Sequence, residues 1–390
     1  QGHAVIAGGD GRAMLEGLRV IDMTSVVFGP YCTQILADFG AEVVKVEAPG
    51  GDVFRYGAPS AHSKAMGPGY IALNRGKQSL VLDLKQEADR AILRDLLADA
   101  DIFIHNVRAE AIERLGFDYN SVRALAPDII YAHCVGFGSG GPYAGLQAYD
   151  DVIQAASGTT TLLPRADGNE RPRYLPSLIA DKVAGLHAAY AVMAAVVHRL
   201  RTGQGQHVEV PMFEAFSSFM LKEHLGGNTF DPPVGPPCYG RQVDPDRQPF
   251  PTRDGYVSIV PYRLDHFTKV IALMGDEAFA QEARFATPEG LIAGQAELYA
   301  RIAELTAGFA TDELVALMHA NAIPAMPVRD MADMAQEPHL EAGGFFMRRE
   351  HPTEGTLVEM REPSRFSAWD APDPAPAPLL GEHDRDYREG

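Results

Sequence analysis

The sequence predicts an α/β protein in which a Rossmann-like, doubly wound parallel sheet forms a large domain and a smaller α/β domain follows. Three observations carry this. From Leu18 onward, β-rich runs alternate with helical ones, the punctuation of βαβ units. The β-rich runs are nearly continuous Val, Ile and Leu, as expected where helices cover both faces of a sheet. A Pro- and Gly-rich stretch without period, "GGNTFDPPVGPPCYGRQVDPDRQPFP", then breaks the pattern between Gly226 and Pro251. At 390 residues the chain is long enough for two cores with a cleft between them.

Taken in order, "LRVIDM" reads as a strand, "PYCTQILADFG" as a helix, "EVVKVEA" and "SLVLDLK" as strands, and "EADRAILRDLLADA" as a helix. "IFIHN" and "DIIYAHCVGF" are further strands, with the helical "AEAIERLGF" between them. Ligands of such sheets sit beyond the carboxyl ends of the strands, so the loops after Asp22, Glu47, Asn106 and Val135 are the first to search. A long helix over Lys182 to Arg201 ends at the glycine stop "TGQGQ", and "HVEVPM" and "FEAFSSFMLKEHL" give a last strand and helix. The predicted large domain is 15–225 with 330–390. The small domain is 226–329, entered through a Pro-rich linker at 228–251. The tail "APDPAPAPLLGEHDRDYREG" is expected to lie extended on the surface.

The balance of 52 acidic against 34 basic residues, a net charge of -18, disfavours nucleic acid and anionic membranes as partners. Cys32, Cys134 and Cys238 lie far apart with no Cys/His ligand spacing, so neither a disulfide framework nor a metal site is expected, and a cytoplasmic setting fits. The apolar run Val183 to Val197 is shorter than a membrane span and reads as a buried helix. The opening Gln1, Gly2 and His3 read as a cloning remnant, and no signal-peptide pattern follows them.

Two motifs invite chemistry. "GFGSGG" matches GxGxxG, but Pro142, Tyr143 and Gly145 follow where a dinucleotide fold needs a helix, so a glycine-rich turn at the sheet mouth is the better reading. Asp181 stands alone at the head of an apolar helix. Taken alone it reads first as an N-cap, a reading compatible with a carboxylate kept ionised by the helix terminus and usable as a nucleophile. Gly185, one turn on, leaves room for a backbone or a thioester to approach.

Several stretches together resemble the class III coenzyme A transferases: "LEGLRVIDMTSVVFGPYCTQILADFGAEVVKVEAPGGDVFR", "ALNRGKQSLVLDLK", "IFIHNVRAEAIERLGFDY", "CVGFGSGGPYA", "YDDVIQAASG", "IADKVAGLHAAYAVMAAV", "RTGQGQHVEVPMFEA", "AIPAMPVRDM" and "PLLGEH". The resemblance runs in order from about Leu15 to His383. It implies transfer of CoA between an acyl-CoA and a free carboxylic acid, with CoA as substrate, no tightly bound cofactor, and an interlocked homodimer. It places the nucleophile on Asp181. CoA would lie along Ser25, Val26, Val27 and Phe28, Lys77, Asn106 and Val107, Arg114 and Leu115, and Val135, Gly136 and Phe137. Lys77, Arg75, Arg108 and Arg114 would supply cations for phosphates, and the glycine turn backbone N–H groups for oxyanions.

Two departures stand out. Ala48 occupies the place where some members carry an arginine for adenine, which leaves Lys45 as a substitute, and the glycine run of the formyl-CoA enzymes is missing from the Pro-rich stretch. Racemase relatives pair the aspartate with a histidine in a "GHD" motif. Here Tyr149 and Asp150 stand in "AYD", and His133, His187 and His224 read as ordinary helix or strand residues, which favours the transferase. An α-methylacyl-CoA racemase and a non-catalytic acyl-CoA binding protein remain the alternatives.

Overall fold

The structure, a computed structural model, describes residues 13–389; Gln1, Gly2 and His3 lie outside the described residues. Two compact units form. Among the described residues, the first comprises 13–160, Tyr174–Lys222 and 338–389, the second Thr161–Arg173 and Glu223–Glu337. Residues 161–173, 223–225 and 330–337, assigned from sequence to the large domain, therefore belong to the second unit.

The first unit opens with β1 (Arg19–Met23), α1 (Phe28–Asp38), β2 (Glu42–Glu47), α2 (Pro68–Asn74), β3 (Lys77–Val81), α3 (Glu87–Ala98) and β4 (Ile102–His105). It continues with α4 (Ala109–Leu115), α5 (Tyr119–Leu125), β5 (Ile130–Val135) and α6 (Asp150–Ala156). After α7 (Leu162–Asp167), a part of the second unit, come α8 (Ile179–Thr202), β6 (Gln206–Pro211) and α9 (Met212–His224). The six strands form one sheet in the order β3-β2-β1-β4-β5-β6, parallel throughout. Val20, Ile21, Val43, Val44, Ile102, Phe103 and Ile104 are fully or almost fully buried, and helices pack on both faces, which is why apolar residues fill successive positions of those strands. The order reverses between β1 and β4, so the crevice at their carboxyl ends is the topological switch point.

Helix α8 is longer than its apolar run suggested. At 24 residues it is long and apolar enough, by length and composition alone, to cross a membrane. Ala180, Ala184, Ala188, Val192, Ala195 and Val196 recur at helical spacing and are buried in the core that this helix shares with α1, β5 and β6. Its other side exposes Leu186, Tyr190, Val197 and Leu200.

The second unit holds β7 (Phe250–Thr252), β8 (Gly255–Ile259), α10 (Leu264–Leu273), α11 (Glu277–Ala280), α12 (Pro288–Ala293), α13 (Gln295–Thr306), α14 (Thr311–Ala320) and β9 (Ala325–Pro327). Its strands are antiparallel in the order β7-β8-β9. The Pro-rich stretch at 228–251 lies inside this unit and runs into β7, so it is part of the unit and not a linker into it. The chain then returns to the first unit with α15 (Pro338–Ala342), the hairpin β10 (Phe346–His351) and β11 (Gly355–Met360), and α16 (Asp384–Arg388). The tail is not a surface strap. Ala377 is buried with Met66, Tyr70 and Ile71, the Pro378 carbonyl accepts from Arg55, and His383 donates its N–H to the Ser79 carbonyl at 3.0 Å.

Candidate active site

Asp181 is the third residue of α8, not its N-cap, a position held by Leu178. The carboxylate that serves this helix end is Asp150, the first residue of α6: its Oδ1 accepts the Asp181 N–H at 3.0 Å. Gln154, one turn further along α6 and fully buried, donates to Asp150 Oδ2 at 2.7 Å and to the carbonyls of Leu175 and Ser177, and its Oε1 accepts the Leu175 N–H at 2.9 Å. One helix thus brackets the entry into the other. Freed from capping, the Asp181 carboxyl has no hydrogen-bond or ion-pair partner among the described residues, on a residue that is only 8 % exposed. Burial first, and then the Asp150 charge, push it up to about 7. Its environment therefore opposes ionisation, where the sequence reading expected the helix terminus to favour it.

The loop from Thr24 to Gly29 leads from β1 into α1. Val26 has φ 74°, a left-handed conformation that costs a non-glycine residue about 1–3 kcal/mol. Val27 and Phe28 are buried, Ser25 half-buried. Across the switch point the Asn106 side chain donates to the Ser25 carbonyl at 3.2 Å, and Val107 lies between them and the imidazole of His133, which meets the Val107 carbonyl at 2.8 Å. Ser25–Phe28, Asn106 and Val107 thus come together at one edge. Phe137, beyond Val135 and Gly136, packs on Tyr143 and Phe213. Tyr149 is 63 % exposed and contributes its backbone as the N-cap of α6.

Several predicted roles are corrected here. Lys77 opens β3 and points into the layer between sheet and α1, where its ammonium meets Asn74 Oδ1 at 2.8 Å, the Pro30 carbonyl at 3.1 Å and Asp22 Oδ2 at 3.3 Å. Burial pulls it down to about 8, and all three of its donors are occupied, so it is not a phosphate ligand in this structure. Arg75 is held by Asp38 at 2.7 Å, and Lys45, fully buried, by Asp52 at 2.9 Å; neither is offered to adenine or phosphate. Arg108 and Arg114, at the two ends of α4, have no ion pair among the described residues, and Arg114 is exposed while its neighbour Leu115 packs inward. In the glycine turn, the Gly138 N–H goes to Glu214 at 3.0 Å and the Ser139 N–H to Glu209 at 3.0 Å, which removes these two as oxyanion donors. Gly185 admits α1, not a thioester, for a Cβ there would stand 2.9 Å from the Phe28 carbonyl oxygen.

Gln154, Asp52, Glu209 and Glu214 escaped sequence reasoning. The only local sign was Asp52 ahead of "VFR", where its side chain caps the short turn Val53–Tyr56 by accepting the Phe54 N–H.

The description of CoA-transferase family III matches residues 15–384. The chain is 32% identical over 379 residues to succinate–glutarate CoA-transferase of Agrobacterium fabrum, covering 95% of this chain and 93% of that one. It is likewise 32% identical to succinyl-CoA:mesaconate CoA-transferase of Haloarcula marismortui, over 95% and 94% of the two chains. A crystal structure of a CAIB/BAIF family protein from Brucella suis superimposes with a TM-score of 0.85 at 31% identity, over 97% of this chain and 99% of that one.

Proposed function

The chain belongs to CoA-transferase family III and is an enzyme that moves coenzyme A between acyl-CoA and carboxylic acids; we propose that it does so through covalent intermediates on Asp181. The observation that carries this reading is a carboxyl without a partner among the described residues, on a residue almost wholly buried, in a protein already strongly acidic. Burying an unpaired acid costs stability, and such groups cluster at sites of chemistry.

In the proposed sequence an Asp181 oxygen attacks the thioester carbonyl, the C–S bond breaks, and a mixed anhydride and CoA thiolate result. The thiolate attacks the aspartyl carbonyl and expels the donor acid as its carboxylate, leaving an Asp181–CoA thioester. An acceptor carboxylate attacks this thioester and displaces the thiolate, which then attacks the acceptor acyl carbonyl. That step releases the new acyl-CoA and restores Asp181. Every intermediate is open to hydrolysis, so the burial of Asp181 serves the chemistry as well as the fold. Arg108 and Arg114 are the cations we assign to CoA phosphates, with Ser25–Phe28, Asn106, Val107, Leu115 and Val135–Phe137 along the rest of the ligand. Tyr149 and Asp150 flank the acyl end, Asp150 through the bond that holds the Asp181 backbone.

We also propose an interlocked homodimer. The apolar outer side of α8 and a cavity of about 720 Å³ lined by Tyr31, Phe39, Leu186, Tyr190 and Met193 support a partner chain on this unit. A cytoplasmic setting accords with three free thiols. Succinyl-CoA with glutarate or mesaconate, the acids named for the relatives, is the first pair to assay by mass spectrometry. Formation of glutaryl- or mesaconyl-CoA is expected, and no transfer across a panel of donors and acids would remove the reading.

A further inference from the structure

We propose that Asp52, braced by the buried Lys45, is a positioning residue of the transfer site, holding the turn at Val26 in a conformation that its own sequence disfavours. Valine is among the residues least suited to φ 74°, because its branched Cβ crowds the carbonyl oxygen there. Both Asp52 oxygens face the Val26 N–H, at 3.0 and 3.2 Å, and Oδ1 also accepts the Phe54 N–H at 2.9 Å. Lys45 lies 2.9 Å from Asp52 Oδ2 and donates to the Thr24 carbonyl at 2.9 Å, with side-chain exposures of 0% and 1% for the pair. On the other flank Asp22 accepts the Thr24 N–H at 2.9 Å and its hydroxyl at 2.5 Å.

Asp52 follows β2, whereas Val26 follows β1, so the carboxylate ties together two loops at the same edge of the sheet. Sealing an ion pair this completely is a poor route to stability, since a well-packed apolar pair would serve as well. What the pair supplies is direction: it fixes the backbone between the last residue of β1 and the first turn of α1. The proposal rests on the reading that Ser25–Phe28 meets CoA.

The test is calorimetric binding of coenzyme A, without turnover, to the full-length wild-type protein, Asp52→Ala, Val26→Gly and the double variant. Glycine adopts φ > 0 without strain, so it makes the clamp dispensable. Asp52→Ala is expected to weaken CoA binding by up to about 150-fold and at least about fivefold, the range set by left-handed strain, and Val26→Gly in that background to restore most of the loss. A merely structural role would give a loss that Val26→Gly does not repair. Unchanged affinity in a folded Asp52→Ala, or an unrepaired loss, overturns the proposal. Should alanine fail to fold, Asp52→Leu, which keeps the bulk but accepts no hydrogen bond, is read by the same rule, because Lys45 keeps Asp22 and Glu47 about it. The readout needs no chemistry at Asp181, so an enzyme that binds CoA but forms no aspartyl adduct would sink the mechanism and leave this inference standing.

Discussion

At the scale of single residues, the state of Asp181 sets two expectations. Its carboxylate is the proposed nucleophile and its carboxyl is pushed up to about 7, so transfer should rise with pH through about 7 in the free enzyme. A rate profile flat from pH 5 to 8 would contradict this. The same shift destabilises the folded chain once pH exceeds the ordinary carboxyl value of 3.8, because the unfolded state ionises more readily. The penalty grows until about pH 7 and is at most about 4 kcal/mol. Asp181→Asn escapes it, so thermal scans should show the variant gaining more over wild type at pH 8 than at pH 4, while transfer falls at least about a thousandfold. The sequence singled this residue out as a candidate, a lone acid heading an apolar helix. Its true partner was not legible there. Asp150 lies 31 residues away, and only the fold brings its oxygen to the Asp181 N–H.

At the scale of elements, α8 and α1 meet so closely at Gly185 that a methyl group would press on the Phe28 carbonyl and on Tyr31. Gly185→Ala gains about 1 kcal/mol of helix propensity, but overpacking costs about 1–3 kcal/mol, so denaturant titration should show a net loss of up to about 2 kcal/mol. Helix α4 gives a different expectation. Arg108→Ala and Arg114→Ala should each raise the KM for acyl-CoA about tenfold with little change in kcat, as for loss of a remote charged contact. A fall in kcat alone would argue against the assignment. Strands β1, β2, β4 and β5 were legible because each holds an apolar run bounded by turns, whereas β7, β9 and the hairpin β10–β11 carry no such run and were missed. The fate of each cation was not legible, since Lys77, Arg75 and Lys45 look no different in sequence from Arg108 and Arg114. What separates them is side-chain direction: Lys77 starts its strand opposite Val43 and reaches Asp22 in the interior.

At the scale of the whole molecule, the Pro-rich stretch read as a linker lies inside the second unit, and the bounds of that unit were not legible, because residues 161–173 carry no compositional sign that they leave the first. The tail shows why composition can mislead: proline suggests an extended surface segment, yet Ala377 is buried and the chain end docks on β3. Threaded chains cannot part without unfolding, so the proposed dimer should give no folded monomer on dilution. Sedimentation at nanomolar concentration should find the dimer alone, and a native monomer that binds CoA would end the interlocked proposal.

The covalent role of Asp181 is tested most directly by trapping it. The enzyme is incubated with succinyl-CoA without acceptor acid, quenched, digested and analysed by mass spectrometry. A peptide containing Asp181 should carry the mass of CoA as a thioester, lose it with hydroxylamine, and be absent from Asp181→Ala. An enzyme that transfers CoA to added acid while no adduct forms on that peptide, or an Asp181→Ala variant that keeps its turnover, would contradict the account.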